Sequence, residues 1–224
     1  MEKKLERLDE FLNELPYKNE WDAIRCKDGL VNQNEYLNSR VKILWILKES
    51  NNIENLVEKL RNKIDNGKLD KGWYRTFQKI IQTSHGILEG KKWNEFPNHR
   101  KSKAVLNSLS KIGIINLRKY AGSSRANMDL IKRAHEKYKK YTLKQIEVFN
   151  PDIIICGGTF KIIKNDFGLK SNEAISKQKK PKCNVYTFKN KLFFDVYHPN
   201  YAFNEQLYCD SIIEKSLDWL KEKQ

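Results

Sequence analysis

Three side chains of different chemistry stand just after, or at the end of, short apolar runs. Glu49 follows "VKILWILK", Asn116 lies in "GIINL", and His198 follows "LFFDVY". A fourth run, "DIIIC", ends in Gly157-Gly158-Thr159. A carboxylate can orient a water as general base or stabilise a developing cation. An imidazole can donate a hydrogen bond to a developing negative charge. A primary amide holds a donor and an acceptor side by side, which suits reading a polar edge. A glycine turn that opens a helix can receive a phosphate. Each feature also has a plainer use. A carboxylate after a strand can cap a helix or join a salt bridge, a histidine can be structural, and paired glycines can simply turn the chain. "HPN" directly after an apolar strand makes His198 a stronger candidate than His85, His99 or His135, and Asp195, inside that strand, reads as a structural hydrogen-bond partner.

The elements that would position these groups follow from periodicity. "VKILWIL" (41–47), "GIINL" (113–117) and "DIIICGG" (152–158) are near-continuously apolar, the pattern of strands buried on both faces. "CNVYTF", the turn "KNK" and "LFFDVYH" predict a hairpin or two adjacent strands. Helical spacing is read over residues 1–15 (closed by Pro16), 53–65, 73–83, 101–112, 127–149 (stopped by Asn150-Pro151), from Thr159 onward, and 205–222. Strands alternating with helices predict one α/β domain spanning 1–224, a three-layer α/β/α sandwich around a mostly parallel sheet. In such sheets ligands collect beyond the carboxyl ends of the strands. Glu49, Asn116, the Gly157-Gly158 turn and His198 would then share one edge.

The 224 residues carry 43 Lys and Arg against 28 Asp and Glu, a net charge of +15. A surplus of that size points to an anionic partner, with nucleic acid ahead of a membrane surface. The bland reading is a lysine-rich composition without purpose. No apolar stretch is long enough to span a bilayer, and "MEKKLERLDEFL" is a charged amphipathic pattern rather than a signal peptide, so a cytoplasmic location is expected. Cys26, Cys156, Cys183 and Cys209 are scattered without CxxC pairing and read as reduced, mostly buried thiols. The stretch 169–182 (LKSNEAISKQKKPK) is polar and basic and reads as a solvated surface loop.

In order and in position, these motifs resemble the uracil-DNA glycosylase superfamily, in particular its branch with a "GEAPG" first motif. "LKESN" stands at that motif and places Glu49 on its glutamate. "GIINLRKYAGSS" resembles the segment carrying the asparagine that pairs with a flipped base, which places Asn116 there. "NPDIIICGG" is similar to a central strand of the family, and "YHPNYAFN" resembles its late "HPS" or "HPA" motif, placing His198 on the catalytic histidine. The match runs from residue 41 to about 206. It departs from the family in three ways: the cluster-binding cysteines are missing, position 48 is Lys instead of Gly, and Asn51 stands where the strictest uracil enzymes place a tyrosine against C5 of the pyrimidine.

The resemblance implies a monofunctional DNA glycosylase that needs no metal and no redox cofactor and works as a monomer. Glu49 would act on water or on the sugar cation, and His198 would donate to the departing base anion. Asn116 would read the base edge, and the small Asn51 would leave room for uracil or for a C5-modified pyrimidine, in repair or in defence against phage DNA. A base reaches such a site only after leaving the stack. Trp73 or Tyr74 would receive it, unless both pack in the core, and Tyr201 or Phe203 would contact the opened duplex. DNA contacts are expected from Lys48, Asn200 and Tyr201, with phosphate contacts from Lys119, Ser123, Ser124 and Arg125 and from the helix start at Gly158 and Thr159. Two other readings stay open: a non-catalytic DNA-binding protein of the same fold, and a nucleotide or small-molecule enzyme using "CGGT" as a phosphate turn.

Overall fold

A computed structural model of the chain describes residues 2–19, 23–51, 53–123, 126–170 and 173–223. Its centre is one six-stranded sheet of β1 (Gly29–Leu30), β2 (Ile43–Leu47), β3 (Ile112–Asn116), β4 (Ile153–Gly157), β5 (Cys183–Phe188) and β6 (Lys191–Val196), in the spatial order β1-β3-β2-β4-β6-β5. The four inner strands are parallel, while β1 and β5 close the two edges in antiparallel sense. The helices are α1 (Glu2–Asn13), α2 (Gln33–Asn38), α3 (Leu56–Asp65), α4 (Lys71–Glu89), α5 (Lys103–Asn107), α6 (Met128–Phe149), α7 (Phe160–Ile163) and α8 (Glu205–Glu222).

Successive side chains of a strand point to opposite faces, and β2 shows why its run had to be apolar throughout. Ile43, Trp45 and Leu47 enter one core with Phe77, Ile80 and Ile81 of α4 and with Ile212 and Ile213 of α8. Leu44 and Ile46 enter the other, with Leu5 and Leu8 of α1, Ile146 and Phe149 of α6, and Phe160 of α7. The sheet is therefore covered by helices on both faces, an α/β layered fold. The indole N–H of Trp45 donates to Ser84 Oγ at 3.1 Å, so even the largest buried side chain of β2 has its polar atom satisfied.

The differences from expectation lie where periodicity is weak. β1 and α2 carry no readable pattern, since two strand residues and six helical ones give no measurable period. The segment 101–112 divides into α5 and a 3₁₀ turn, Ser108–Lys111, that runs straight into β3. The helix expected from Thr159 is one short turn followed by a 3₁₀ segment, Lys164–Phe167. α4 extends past residue 83 to Glu89 and stops at Gly90, whose φ of 68° gives the left-handed C-cap that glycine adopts without strain.

All four cysteines are buried free thiols, and burial pushes Cys26, Cys183 and Cys209 up to about 12. No described helix is long and apolar enough to cross a membrane, and no metal-binding cluster of His, Cys, Asp and Glu occurs among the described residues.

Candidate active site

Crossing from β2 to β3 on one side and returning to β4 on the other creates a reversal of strand order, the place where open α/β sheets leave a crevice at their carboxyl edge. A cleft of about 670 Å³ lies there, within the size range of small-molecule sites. Its wall includes Lys48, Glu49, Asn51, Trp73, Asn116, Ser123, His198, Asn200 and Tyr201, together with Phe77 and Lys59.

The loop after β2 is laced to the segment after β3. Leu117, Arg118 and Gly122 donate backbone N–H bonds to the carbonyls of Leu47, Lys48 and Ser50 at 3.0, 3.0 and 2.7 Å. This lacing holds Glu49 over the backbone of Gly122 so closely that a Cβ on that glycine would stand 2.1 Å from the carboxyl carbon. The Glu49 side chain is only 4 % exposed and accepts a hydrogen bond from Arg118 Nη1 at 2.7 Å. Removing one partner of so buried an ion pair costs about 3–5 kcal/mol. Arg118 thus fixes the carboxylate and keeps its charge compensated.

Asn116 ends β3 beside Leu47 and is 1 % exposed. Its backbone N–H donates to Asp28 Oδ2 at 2.7 Å. Asp28 is itself held by Lys119 Nζ at 3.1 Å and by Gln145 Nε2 at 2.9 Å, so a buried polar cluster lies beside the end of β3. The Asn116 side chain, by contrast, has a buried Nδ2 with no hydrogen-bond partner. An unpaired buried donor costs about 1–3 kcal/mol, so this amide is open to a water or ligand as partner. Among the described residues with such orphaned atoms, Asn116 is the one that also lines the cleft.

His198 reaches the same cleft from the end of β6. The N–H of Asn200 donates to its Nδ1 at 3.1 Å, which leaves Nε2 as the ring N–H of the neutral imidazole. Burial, then the charges of Lys48 and Lys79, push His198 down to about 4. Lys79 also ties the loop in place, its ammonium donating to the Tyr201 carbonyl at 2.6 Å. Above pH 5 the site therefore holds a neutral imidazole donor. In an NMR titration the His198 ring resonances are expected to inflect near pH 4, and a midpoint near 6.5 would show the pocket does not desolvate the ring. The unfolded chain takes up this proton near 6.5 and the folded chain near 4. His198 thus contributes stability that is present above pH 6.5 and is lost as pH falls to about 4.

Of the two aromatic candidates, Trp73 faces the cleft, its ring 4.9 Å from that of Phe77 and tilted 37° to it, with Phe77 on the same face one turn later. Tyr74 turns away, 5.9 Å from the His99 ring and 4.1 Å under the Arg100 guanidinium, so it cannot receive a base. Asn51, Ser123 and Asn200 are exposed on the rim, and Tyr201 is 51 % exposed and stacks at 4.4 Å on Tyr197. Ser124 and Arg125 lie outside the described residues.

Three expected phosphate contacts are corrected. Lys119 is 2 % exposed, and its ammonium is occupied by Asp28 and Gln145; burial outweighs the attraction of Asp28 and lowers its pKa. The Gly158 N–H is already bonded to the carbonyls of Cys156 and Val196, each at 2.9 Å. Thr159 is fully buried, its hydroxyl donating to the Ile46 carbonyl at 2.8 Å. The helix that follows is a single turn. Gly157 instead makes space, because a Cβ on it would meet Leu47 and Pro199 at 2.9 Å, while Gly158 supplies the left-handed turn with its φ of 72°. The "CGGT" turn is therefore not a phosphate cradle, and the reading as a nucleotide enzyme loses its only motif.

Sequence reasoning missed Arg118, Asp28, Lys79 and Phe77. Only Phe77 had a visible signal, its spacing of four from Trp73. No family model matches the chain, and no curated protein matches it.

Proposed function

We propose that this chain is a DNA glycosylase of the uracil-DNA glycosylase type. It takes a pyrimidine, uracil or a C5-modified one, out of the stack and hydrolyses its N-glycosidic bond. The observation that carries the reading is the orphaned, buried Nδ2 of Asn116 in the same cleft as a fixed carboxylate and a neutral imidazole donor. An amide whose donor lacks a protein partner is what the acceptor edge of an extruded base would satisfy.

The chemistry follows from the side chains. A water held by Glu49 attacks C1′ of the sugar while the bond from C1′ to the base nitrogen breaks. Glu49 takes the proton of that water, and the electron pair leaves with the base as an anion. The Nε2–H of His198 solvates the charge that develops on a base oxygen, as a preorganised donor does in an oxyanion site. Arg118 keeps Glu49 in place, and Trp73 with Phe77 supplies an aromatic surface for the extruded ring. The exposed Asn51 puts only a small side chain at the lip, which favours a pocket tolerant of substituents at C5. Whether that serves repair or defence against modified phage DNA is decided by the base.

The test is incubation with DNAs carrying uracil or modified cytosines, followed by alkaline cleavage at abasic sites. Strand breaks with one of these DNAs support the proposal, and none with any of them would sink it. Asn116→Ala should weaken processing of the preferred base roughly 5- to 150-fold, the equivalent of about 1–3 kcal/mol for one matched amide contact. A variant that keeps its full rate and base preference would remove Asn116 from recognition.

One observation favours the second reading, a DNA-binding protein without catalysis: the ion pair with Arg118 is also what a purely structural glutamate would make. On that reading Glu49→Gln leaves the biological activity intact.

A further inference from the structure

The basic stretch before β5 looks merely solvated in sequence, but its place in the sheet gives it a use. Cys183, the first residue of β5, pairs with Val196, the last of β6. Both stand at the carboxyl edge, and β6 runs from there into Tyr197 and His198. Residues 177–182 must therefore project past the same edge as the cleft, one strand beyond the His198 loop. Neighbouring strands are about 4.8 Å apart, so the two loops are near neighbours.

The segment is also held. Ile175 N–H donates to the Val185 carbonyl at 2.8 Å, Val185 N–H to Ser176 at 2.9 Å, and Cys183 N–H to Gln178 at 3.0 Å. Lys182 bonds Asp195 at 2.6 Å and so anchors the strap to β6. Lys177, Lys179 and Lys180 are left exposed, and none of the three has an ion pair or side-chain hydrogen bond among the described residues. Lys144 and Lys92 pair with Glu147 and Glu214, whereas other exposed lysines such as Lys68, Lys71 and Lys132 are as unpaired among the described residues as these three. What sets Lys177, Lys179 and Lys180 apart is their grouping at the carboxyl edge of the sheet.

We infer that Lys177, Lys179 and Lys180 form a second cationic wall of the nucleic-acid interface, taking the phosphate backbone beside the nucleotide that enters the cleft. This rests on the DNA reading above and extends its footprint across the sheet edge from β2 to β5. A strand tracked along this edge would pass Lys59 and Lys48 on one side of the cleft and the strap on the other. The lysines meet phosphates, so they add affinity without base preference.

The test is a salt titration of binding to one labelled oligonucleotide carrying the preferred base, for the wild type, the triple variant Lys177→Gln, Lys179→Gln, Lys180→Gln, and a control. The control, Lys144→Gln, Lys189→Gln, Lys221→Gln, removes the same charge at the opposite edge of the sheet, where α6, the β5–β6 turn and α8 end. Each phosphate that goes without its lysine should flatten the slope of log affinity against log salt by about 0.9 for duplex or about 0.7 for single strands, so the slope of the strap variant should be shallower by roughly two to three. The control should keep the wild-type slope.

A strap variant with the wild-type slope, or a control whose slope flattens as much, would overturn the surface alone. A wild-type chain with no salt-sensitive affinity for DNA would overturn the DNA reading itself. Unchanged DNA binding together with weakened affinity for phosphatidylserine vesicles would assign the lysines to a membrane and overturn the inference.

Discussion

Glu49→Gln is expected to slow base release about 10²–10⁴-fold, the range that a positioned general base contributes, while DNA affinity changes little. The substitution keeps the length and shape of the side chain and an oxygen that Arg118 Nη1 can still reach, now 2.7 Å from the carboxylate. What it removes is the negative charge and the ability to take a proton from water. An interaction made chiefly in the transition state lowers the rate without a matching loss of substrate binding. Single-turnover base release and equilibrium binding, measured on the same oligonucleotide, separate the two effects. Equal loss of rate and affinity would make Glu49 a binding residue, and loss of neither would make it structural.

Gly122→Ala is expected to cost about 10²-fold at the chemical step, the size of effect that a misplacement of roughly 1 Å produces. The new methyl carbon would fall 2.1 Å from Glu49 Cδ and 2.2 and 2.5 Å from its oxygens, so the two groups cannot keep their places. The backbone at Gly122 is tied to Ser50 by a 2.7 Å hydrogen bond, whereas the carboxylate is the end of a rotatable side chain held by Arg118. The carboxylate therefore gives way, stretching or losing its bond to Arg118. Stability should fall too, by up to the roughly 3–5 kcal/mol that disrupting so buried an ion pair costs, while the sheet itself stays in place. A Gly122→Ala protein with a wild-type rate would mean that the position of Glu49 is immaterial to turnover.

Strand ends and a parallel sheet were enough to bring Glu49, Asn116 and His198 to one edge. The near-continuous apolar runs of β2, β3 and β4 identify strands buried on both faces, and parallel strands share one carboxyl edge. What escaped was whatever depends on distant partners. Lys119 reads like a surface cation, yet it is drawn under the sheet by Asp28, which lies 91 residues earlier. Arg118, its neighbour, turns the other way to Glu49, and no local pattern separates the two. Trp73 and Tyr74 are adjacent on a helix, so about 100° of rotation sends one to the cleft and the other to Arg100. Gly157-Gly158 was legible as a special turn but not as to its reason, which is space beside Leu47 and Pro199 at Gly157 and a left-handed φ at Gly158 rather than a phosphate. Gly122 carried no signal at all, because its role exists only once Glu49 lies over it.

The most direct measurement of the central claim is mass spectrometry of the free base released from DNA carrying the candidate bases, with an aldehyde-reactive probe counting the abasic sites left behind. Wild-type protein should release one kind of pyrimidine with an equal yield of abasic sites, and Glu49→Gln protein almost none. Intact DNA after incubation with the wild type, or equal release by the Glu49→Gln protein, would contradict a glycosylase built on Glu49.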